Sequence, residues 1–385
     1  ESYALTPALS LQEASHLDTG SDRPVQWFFD NLLPEEAARA LIAKSTKVAK
    51  DDAFSLLAAV GSESAGAITL LEVGEALPSG AVKLLRKSEI SQRIQKLPGA
   101  PLNDQTRKRM SLAGAQHKML IVMHEGQIYE PIGEMTSSHI LKPEHSNPES
   151  YWFTVRNEFF TMSLAKLCGL PTPPVQIIYL PEPVYIIERF DRSGEYPNQQ
   201  RLHVIDGCQL LNFAAYSKYG MSDANNLKRM IEQCRKRALT TVQLFRWALF
   251  NFLVGNNDAH LKNLSFAASP SGLSLMPHYD LLSTIIYEDA GKHLSAELSQ
   301  PMGNTDIYGQ VQRKDVIAFA QEIGLKENIA NREIDRMLKI IEPCGRKLIE
   351  EIEVLPSYKG KAGELRMLRQ VENLALKEFC KQIQL

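Results

Sequence analysis

Cysteine is scarce in this chain: five residues in 385, scattered, with no Cys-x-x-Cys pair. That usage excludes a zinc ribbon and a disulfide framework. It reads as reduced thiols packed as small apolar groups in a cytoplasmic protein. No apolar run approaches the roughly 18 residues that a membrane-spanning helix needs. Charge of one sign is missing too. A net charge of −2 supplies no global field to draw nucleic acid. There is no His-x-x-x-His spacing, no Gly-x-Gly-x-x-Gly, no Walker loop, no internal repeat and no low-complexity tract. No secretory leader is read at the start, and an opening Glu1 reads as a fragment or processed form. What is present, 44% apolar and 23% charged residues, is ordinary for a globular chain with room for two or three domains.

Along the chain, residues 1–22 read as a strand remnant and a loop. Short helices are expected over 24–31, 34–45 and 53–60, the second opened by Pro34 with acid in its first turn. A strand is expected over 67–73 and a short basic helix over 88–97. Pro98-Gly99-Ala100-Pro101 breaks that helix and marks the expected domain boundary. Strand signals follow at 118–124, 128–131, 139–142, 175–180 and 184–190, with a helix over about 150–167 ended by Gly169. From about 203 the pattern is helical to the end, interrupted by one polar segment and its strand. The division expected is 1–97, 98–192 and 193–385. The class is α+β, a β-rich lobe followed by a helical lobe behind a small N-terminal α/β subdomain. This is the layout of a two-lobed protein-kinase-like fold, in which nucleotides bind in the cleft between lobes.

The most informative stretch is Gly255-Asn256-Asn257-Asp258-Ala259-His260-Leu261-Lys262-Asn263, directly after a long apolar helix. Protein kinases use an Asp-x4-Asn spacing in the catalytic loop, the Asp accepting the substrate hydroxyl proton and the Asn holding Mg²⁺. The reason is geometric, since carboxylate and carboxamide must address one γ-phosphate from one short loop. A second carboxylate, Asp280 in Pro277-His278-Tyr279-Asp280, follows where a kinase places its other metal-binding Asp. One such pair is a weak signal; the three residues in order are a stronger one.

Other positions admit two readings each. Ser111 to Lys118 (Ser-Leu-Ala-Gly-Ala-Gln-His-Lys) is either a phosphate loop, whose small residues let N–H groups approach oxygens, or a tight turn into a strand. Lys142 either reaches phosphate oxygens, held by Glu158 of the next helix, or is an exposed strand-end lysine. Glu188-Arg189-Phe190 ends a strand where an adenine ring would meet main chain. His260 either orients a phosphate or Asp280, or is a packed histidine. The basic-leaning helix over 359–382 is read as a solvated face ahead of a DNA or partner contact.

These residues carry a family likeness. The chain resembles the HipA toxin kinases of HipBA-type toxin–antitoxin pairs, over nearly its whole length. The resemblance rests on Phe28-Phe29-Asp30-Asn31-Leu32-Leu33-Pro34, Val60-Gly61 with Ser64-Ala65-Gly66-Ala67, Ser111 to Gln116 with Lys118, the Asn257-Asp258 to Asn263 segment, and Tyr279-Asp280. It implies an ATP- and Mg²⁺-dependent serine/threonine kinase with Asp258 as catalytic residue and Asn263 and Asp280 as metal ligands. It implies ATP contacts from Ala113, Gly114, Ala115, Gln116, His117, Lys118, Lys142, Glu188, Arg189, Phe190, His260, Asn263, Tyr279 and Asp280. Ser111 would be the autophosphorylated serine, an off-switch because a phosphoserine adds about two negative charges where ATP phosphates must sit. The implied partners are a HipB-like DNA-binding antitoxin, operator DNA mainly through that antitoxin, and a protein substrate such as an aminoacyl-tRNA synthetase. No membrane contact is implied. Two departures stand out: His117 replaces an acidic residue, and Asn256-Asn257 precedes Asp258 where a Thr-Asp step is expected. If the family's length holds, the N-terminal subdomain is short by some tens of residues. The other function classes compatible with the residues are a DNA-bound co-repressor and a small-molecule phosphotransferase of kinase-like fold.

Overall fold

Strand signals are densest over 118–143, and there the computed structural model has the centre of a six-stranded sheet. It describes residues 4–102, 112–114 and 116–384. The strands run in the order Ala81–Leu84, Gln127–Ile132, Met119–His124, His139–Pro143, Pro183–Glu188, Val175–Tyr179. Every neighbouring pair is antiparallel. Met119, Leu120, Ile121 and Val122 are all buried, as a central strand requires. Helix Lys87–Gln95 brings Ile90 onto Met119, Ile121, Leu141 and Ile186. Its Arg93 makes a buried ion pair with Glu130 at 2.8 Å.

The described chain divides into two units, 1–146 with 173–216 and 265–271, and 147–172 with 217–264 and 272–385. Pro98–Pro101 therefore lies inside the first unit. The first unit also holds helices Pro24–Asp30, Glu36–Thr46 and Ala53–Val60. Leu32, Leu33, Ala43, Leu56, Leu57 and Val60 form their core. Asp52 caps the third helix by accepting the Ser55 N–H at 3.0 Å.

A buried ionic network fastens these helices to the sheet. Glu63 Oε1 accepts from the Ser137 N–H and hydroxyl and from Arg192 Nη2, at 3.0, 2.7 and 3.0 Å. Arg189 grips both oxygens of Asp191, at 2.9 and 2.6 Å, and Asp191 Oδ2 accepts the Gly66 N–H at 2.7 Å. Gly66 sits at φ +68°, and a Cβ there would lie 2.7 Å from the Val204 carbonyl oxygen. Only glycine fits this turn.

The strand expected over 67–73 is absent. Arg201 takes the Ile68 carbonyl and the Thr69 hydroxyl, both at 2.6 Å, and Ser64 Oγ also donates to the Ile68 carbonyl. Side chains satisfy the backbone groups that a partner strand would have needed. Residues 4–22 likewise form turns and no strand.

The second unit is built on helix Arg237–Val254, whose Phe245, Trp247, Leu249, Phe250 and Phe252 are buried. With most of its surface apolar, this helix lies largely inside a core, while Arg246 reaches Glu333 at its edge. Helices Thr154–Leu167, Ala224–Gln233, Arg313–Glu322 and Glu327–Glu353 belong to this unit. A hairpin, Glu297–Met302 with Thr305–Ile307, turns at Gly303 (φ +57°) and interrupts the helical pattern expected after 203. The C-terminal segment is helical over Lys361–Gln370 and Glu378–Gln384, with a π-helical Val371–Lys377 between. Its apolar side faces the core, where Phe379 stacks on Phe252 and Tyr308 with centroids 5.1 Å away in each case. Its basic residues are partly neutralised: Arg369 pairs with Glu372 and Glu353, and Lys377 with Glu372. The cysteines form no disulfide, and four of the five are buried. Burial pushes the Cys168 thiol up to about 12, so it packs rather than reacts. Among the described residues no helix is long and apolar enough to cross a membrane.

Candidate active site

The loop after helix Arg237–Val254 starts at a residue that must be glycine. Gly255 ends the helix at φ +65°, and a Cβ there would fall 2.3 Å from Ile285 Cγ1. Its carbonyl accepts the N–H groups of Thr284 and Ile285 at 2.9 and 3.0 Å. Asn256 is buried and acts as a relay. Its Nδ2 donates to Asn251 Oδ1 at 2.9 Å, and its Oδ1 accepts the Asp258 N–H at 3.1 Å. The Asn257 N–H donates to Thr284 Oγ1 at 2.7 Å. The backbone on both sides of Asp258 is thus tied to fixed elements, while its own side chain remains 44% exposed. A carboxylate held this way can accept a proton from a hydroxyl that approaches from solvent.

Asn263 closes the loop by donating Nδ2 to the Asp258 carbonyl. That bond orients the amide, whose acceptor atom is Oδ1. His260 Nε2 lies 4.0 Å from Asp258 Oδ1. Tyr279 donates its hydroxyl to the Lys262 carbonyl at 2.7 Å, joining the Asp280 arm to the same loop. Asp280 itself adopts φ +58°, a left-handed backbone that costs a non-glycine residue energy. The surroundings over-determine it. Asn157 Nδ2 donates to the Ser283 carbonyl at 2.8 Å, and Asn157 Oδ1 accepts the Ser283 N–H at 2.9 Å. The His278 N–H donates to the Pro171 carbonyl at 2.8 Å. Burial pushes the His278 imidazole down to about 3, so it stays neutral.

In the first unit, Gly114 takes φ +107°, and a Cβ there would fall 2.6 Å from Lys118 Nζ. Lys118 Nζ donates to the Ala113 carbonyl at 2.6 Å, and the Glu35 N–H to the Gly114 carbonyl at 3.1 Å. The loop therefore rests on the Phe28–Pro34 motif's end. Gln116 Nε2 donates to the Pro143 carbonyl at 3.3 Å, next to Lys142. Burial, with His145 adding to it, lowers the His117 pKa. Lys142 is buried, with Nζ 5.7 Å from the Tyr185 ring centroid, which removes the exposed strand-end reading.

Not every expected residue presents its side chain for chemistry. Arg189 is turned inward to Asp191 and Ser137, so what it offers is main chain. Its N–H is held by the Ser138 carbonyl at 2.9 Å and that of Glu188 by the Pro174 carbonyl at 3.0 Å. Glu188 is exposed and Phe190 half-buried. Glu158 is buried on helix Thr154–Leu167. Ser111 and Ala115 lie outside the described residues.

Two family models match this chain: "HipA-like C-terminal domain" over residues 110–343 and "HipA N-terminal domain" over residues 1–71. A relative from Shewanella oneidensis, the serine/threonine-protein kinase toxin HipA, is 32% identical over 374 residues, covering 92% of this chain and 82% of that one. The chain belongs to the HipA family of serine/threonine kinase toxins. The fold agrees. Shewanella oneidensis HipA, solved with HipB and its operator DNA, superposes with a TM-score of 0.82 at 27% identity, covering 99% of this chain and 89% of that one. Asp258, His260, Lys262, Asn263 and Tyr279 are joined in one place.

The residues fit Mg²⁺. Asn263 Oδ1 and the Asp280 carboxylate are hard oxygen donors, and Mg²⁺ takes one or two carboxylates while keeping waters and phosphate oxygens. Among the described residues no group of three or more His, Cys, Asp or Glu side chains could hold a metal, so a closed zinc-type site is not offered. Sequence reasoning quoted Asn256 within the motif stretch but gave it no role, and it missed Asn157 and Tyr219, whose hydroxyl donates to Asp258 Oδ1. These two are distant in sequence, and no spacing rule points to them.

Proposed function

We propose that this HipA-family chain transfers the γ-phosphoryl group of ATP, with Mg²⁺, to a serine or threonine hydroxyl of a translation enzyme such as an aminoacyl-tRNA synthetase. The observation that carries the reading is the half-exposed Asp258 carboxylate on a loop closed by Asn263. The substrate hydroxyl oxygen attacks the γ-phosphorus, the bond to the ADP oxygen breaks, and the hydroxyl proton passes to Asp258. Mg²⁺ held by Asn263 and Asp280 would supply charge neutralisation at the phosphates. Gly114, Gln116, His117, Lys118 and Lys142 would bind phosphates, Lys142 with Glu158 as its positioning partner. Main chain of Glu188 to Phe190 would meet adenine, with His260 and Tyr279 serving the same nucleotide. Ser111 would be the autophosphorylated off-switch.

The reading places the chain in the cytoplasm as the toxin of a pair whose antitoxin is a HipB-like DNA-binding protein. The relative solved with HipB and operator DNA supports that partner. Contact with operator DNA would come mainly through the antitoxin, given a net charge of −2. Membership of the HipA family weighs against a small-molecule phosphotransferase.

Intact mass after incubation with ATP and Mg²⁺ tests this, beside Asp258→Ala and Ser111→Ala. The expected result is a gain of one phosphate that both substitutions abolish. No gain from a phosphate-free start, with ATP binding confirmed by calorimetry, would remove self-regulation from the proposal.

A further inference from the structure

The segment 217–222 of the second unit has no role in the mechanism above, yet it is fastened at two points to the catalytic loop just after Asp258. At one, the Leu261 N–H donates to the Lys218 carbonyl at 3.4 Å. At the other, Gln300 Nε2 donates to Ser222 Oγ at 2.8 Å and also to the Ala259 carbonyl. A turn, with the Ser222 N–H on the Tyr219 carbonyl at 2.9 Å, fixes the geometry between these anchors. Tyr219 stands at the middle of the clamp. Its ring meets His260 edge-on, with centroids 4.9 Å apart at 78°. Lys218 Nζ lies 4.9 Å from its ring centroid. Its hydroxyl donates to Asp258 Oδ1.

We propose that Tyr219 is a positioning residue for Asp258, holding the carboxylate by Oδ1 so that Oδ2 is the oxygen presented to the substrate hydroxyl. The inference rests on the reading of Asp258 as the base. The physical argument is orientation. A half-exposed carboxylate turns about its terminal torsion, which is broad and roughly two-fold. A base is effective only when its acceptor oxygen is within hydrogen-bond reach of the proton it takes. The backbone bonds of the loop fix where Asp258 starts, and the carboxylate's facing depends on side-chain contacts. Tyr219 supplies one such constraint through Oδ1. Rigidity comes from the clamp and from the ring's contact with His260 rather than from the exposed hydroxyl alone.

The test is ADP formation from ATP and Mg²⁺ by the full chain, which counts transfer to any acceptor, water included. Four proteins are compared: wild type, Tyr219→Phe, Asp258→Asn and the double variant. The Phe variant keeps the ring and removes the hydroxyl. It is expected to lower kcat about tenfold or more, with KM for ATP within about twofold of wild type, as for an interaction made only in the transition state. In the Asp258→Asn background the same change is expected to add nothing, because residues that act as one unit are non-additive. Tyr219→His, which keeps a ring and an N–H donor, should recover part of the loss. Wild-type kcat in Tyr219→Phe would overturn the proposal. So would a higher kcat, which would mean that the hydroxyl obstructs the base, or an equal loss in both backgrounds, which would mean a general structural role. If Asp258→Asn itself forms ADP at the wild-type rate, the base reading fails whatever Tyr219 does.

Discussion

Asn263 donates its side-chain Nδ2 to the main-chain carbonyl of Asp258 at 2.8 Å. This one bond shapes the loop and orients the amide. It separates two jobs that substitutions can pull apart. Asn263→Ala loses both the donor and the oxygen proposed as a metal ligand, and should cut kcat by about 100-fold or more. Asn263→Asp keeps an oxygen but loses the donor, and should retain more activity with an altered Mg²⁺ requirement. ADP formation across a Mg²⁺ titration separates the two. Equal losses with unchanged Mg²⁺ dependence would refute a metal role for Asn263.

Glu63 is fully buried between Ser137 and two arginines. Removing one partner leaves buried charge without compensation, which costs about 3–5 kcal/mol. Glu63→Ala should therefore lower the thermal midpoint of the first unit strongly. Glu63→Gln, which keeps an acceptor for Ser137, should lower it less. Similar midpoints for the two would show that charge, not the retained acceptor, governs the network.

Acid should loosen the same network. Burial would raise the Asp191 carboxyl, but Arg189 and Arg192, the hydrogen bond from Arg189 and the Gly66 N–H hold it down to about 2, against an ordinary 3.8. A depressed carboxyl contributes stability that is present above its unfolded pKa and is lost as pH falls through the folded one. The shift is equivalent to about 2 kcal/mol, lost between about pH 4 and pH 2. Thermal midpoints over that range should fall for the wild type. Asp191→Asn should be less stable at neutral pH but flatter across the window. Parallel curves would count against Asp191 as a source of the slope.

Gly255→Ala is expected to do more than cost helix-end stability. Its Cβ would enter the side chain of Ile285, two residues along from Ser283 and beyond the Asp280 arm. A loss of about 1–3 kcal/mol is expected from the positive φ and the overlap together. ADP formation should fall as well, because Gly255 is hydrogen-bonded to Thr284 and Ile285. An active, fully stable Gly255→Ala protein would show that the loop tolerates displacement.

Much of this architecture was legible in the sequence. Five of the six sheet strands were marked by short apolar runs, whereas the exposed edge strand Ala81–Leu84 was not, and the Asp258, Asn263 and Asp280 order pointed to phosphoryl transfer. Local chemistry explains what was readable: an Asp-x4-Asn loop folds by bonds among its own residues. The strand expected over 67–73 failed for the opposite reason. Its backbone is satisfied by Arg201, more than a hundred residues away in sequence, and propensity carries no trace of such a partner. The direction of the Arg189 side chain leaves no local trace either, since its buried partners Asp191 and Glu63 decide where it points. Tyr219 is legible only in three dimensions: 39 residues separate it from Asp258.

The four linked charges of the first unit, Glu63, Arg189, Asp191 and Arg192, have an evolutionary reading. Each balances the others, so exchanging any one alone exposes the rest to an environment that penalises solitary ions. Drift at these positions is expected to be slow or concerted, in pairs that change together or not at all. A survey of relatives should find the set either kept whole or replaced whole, with few intermediates surviving.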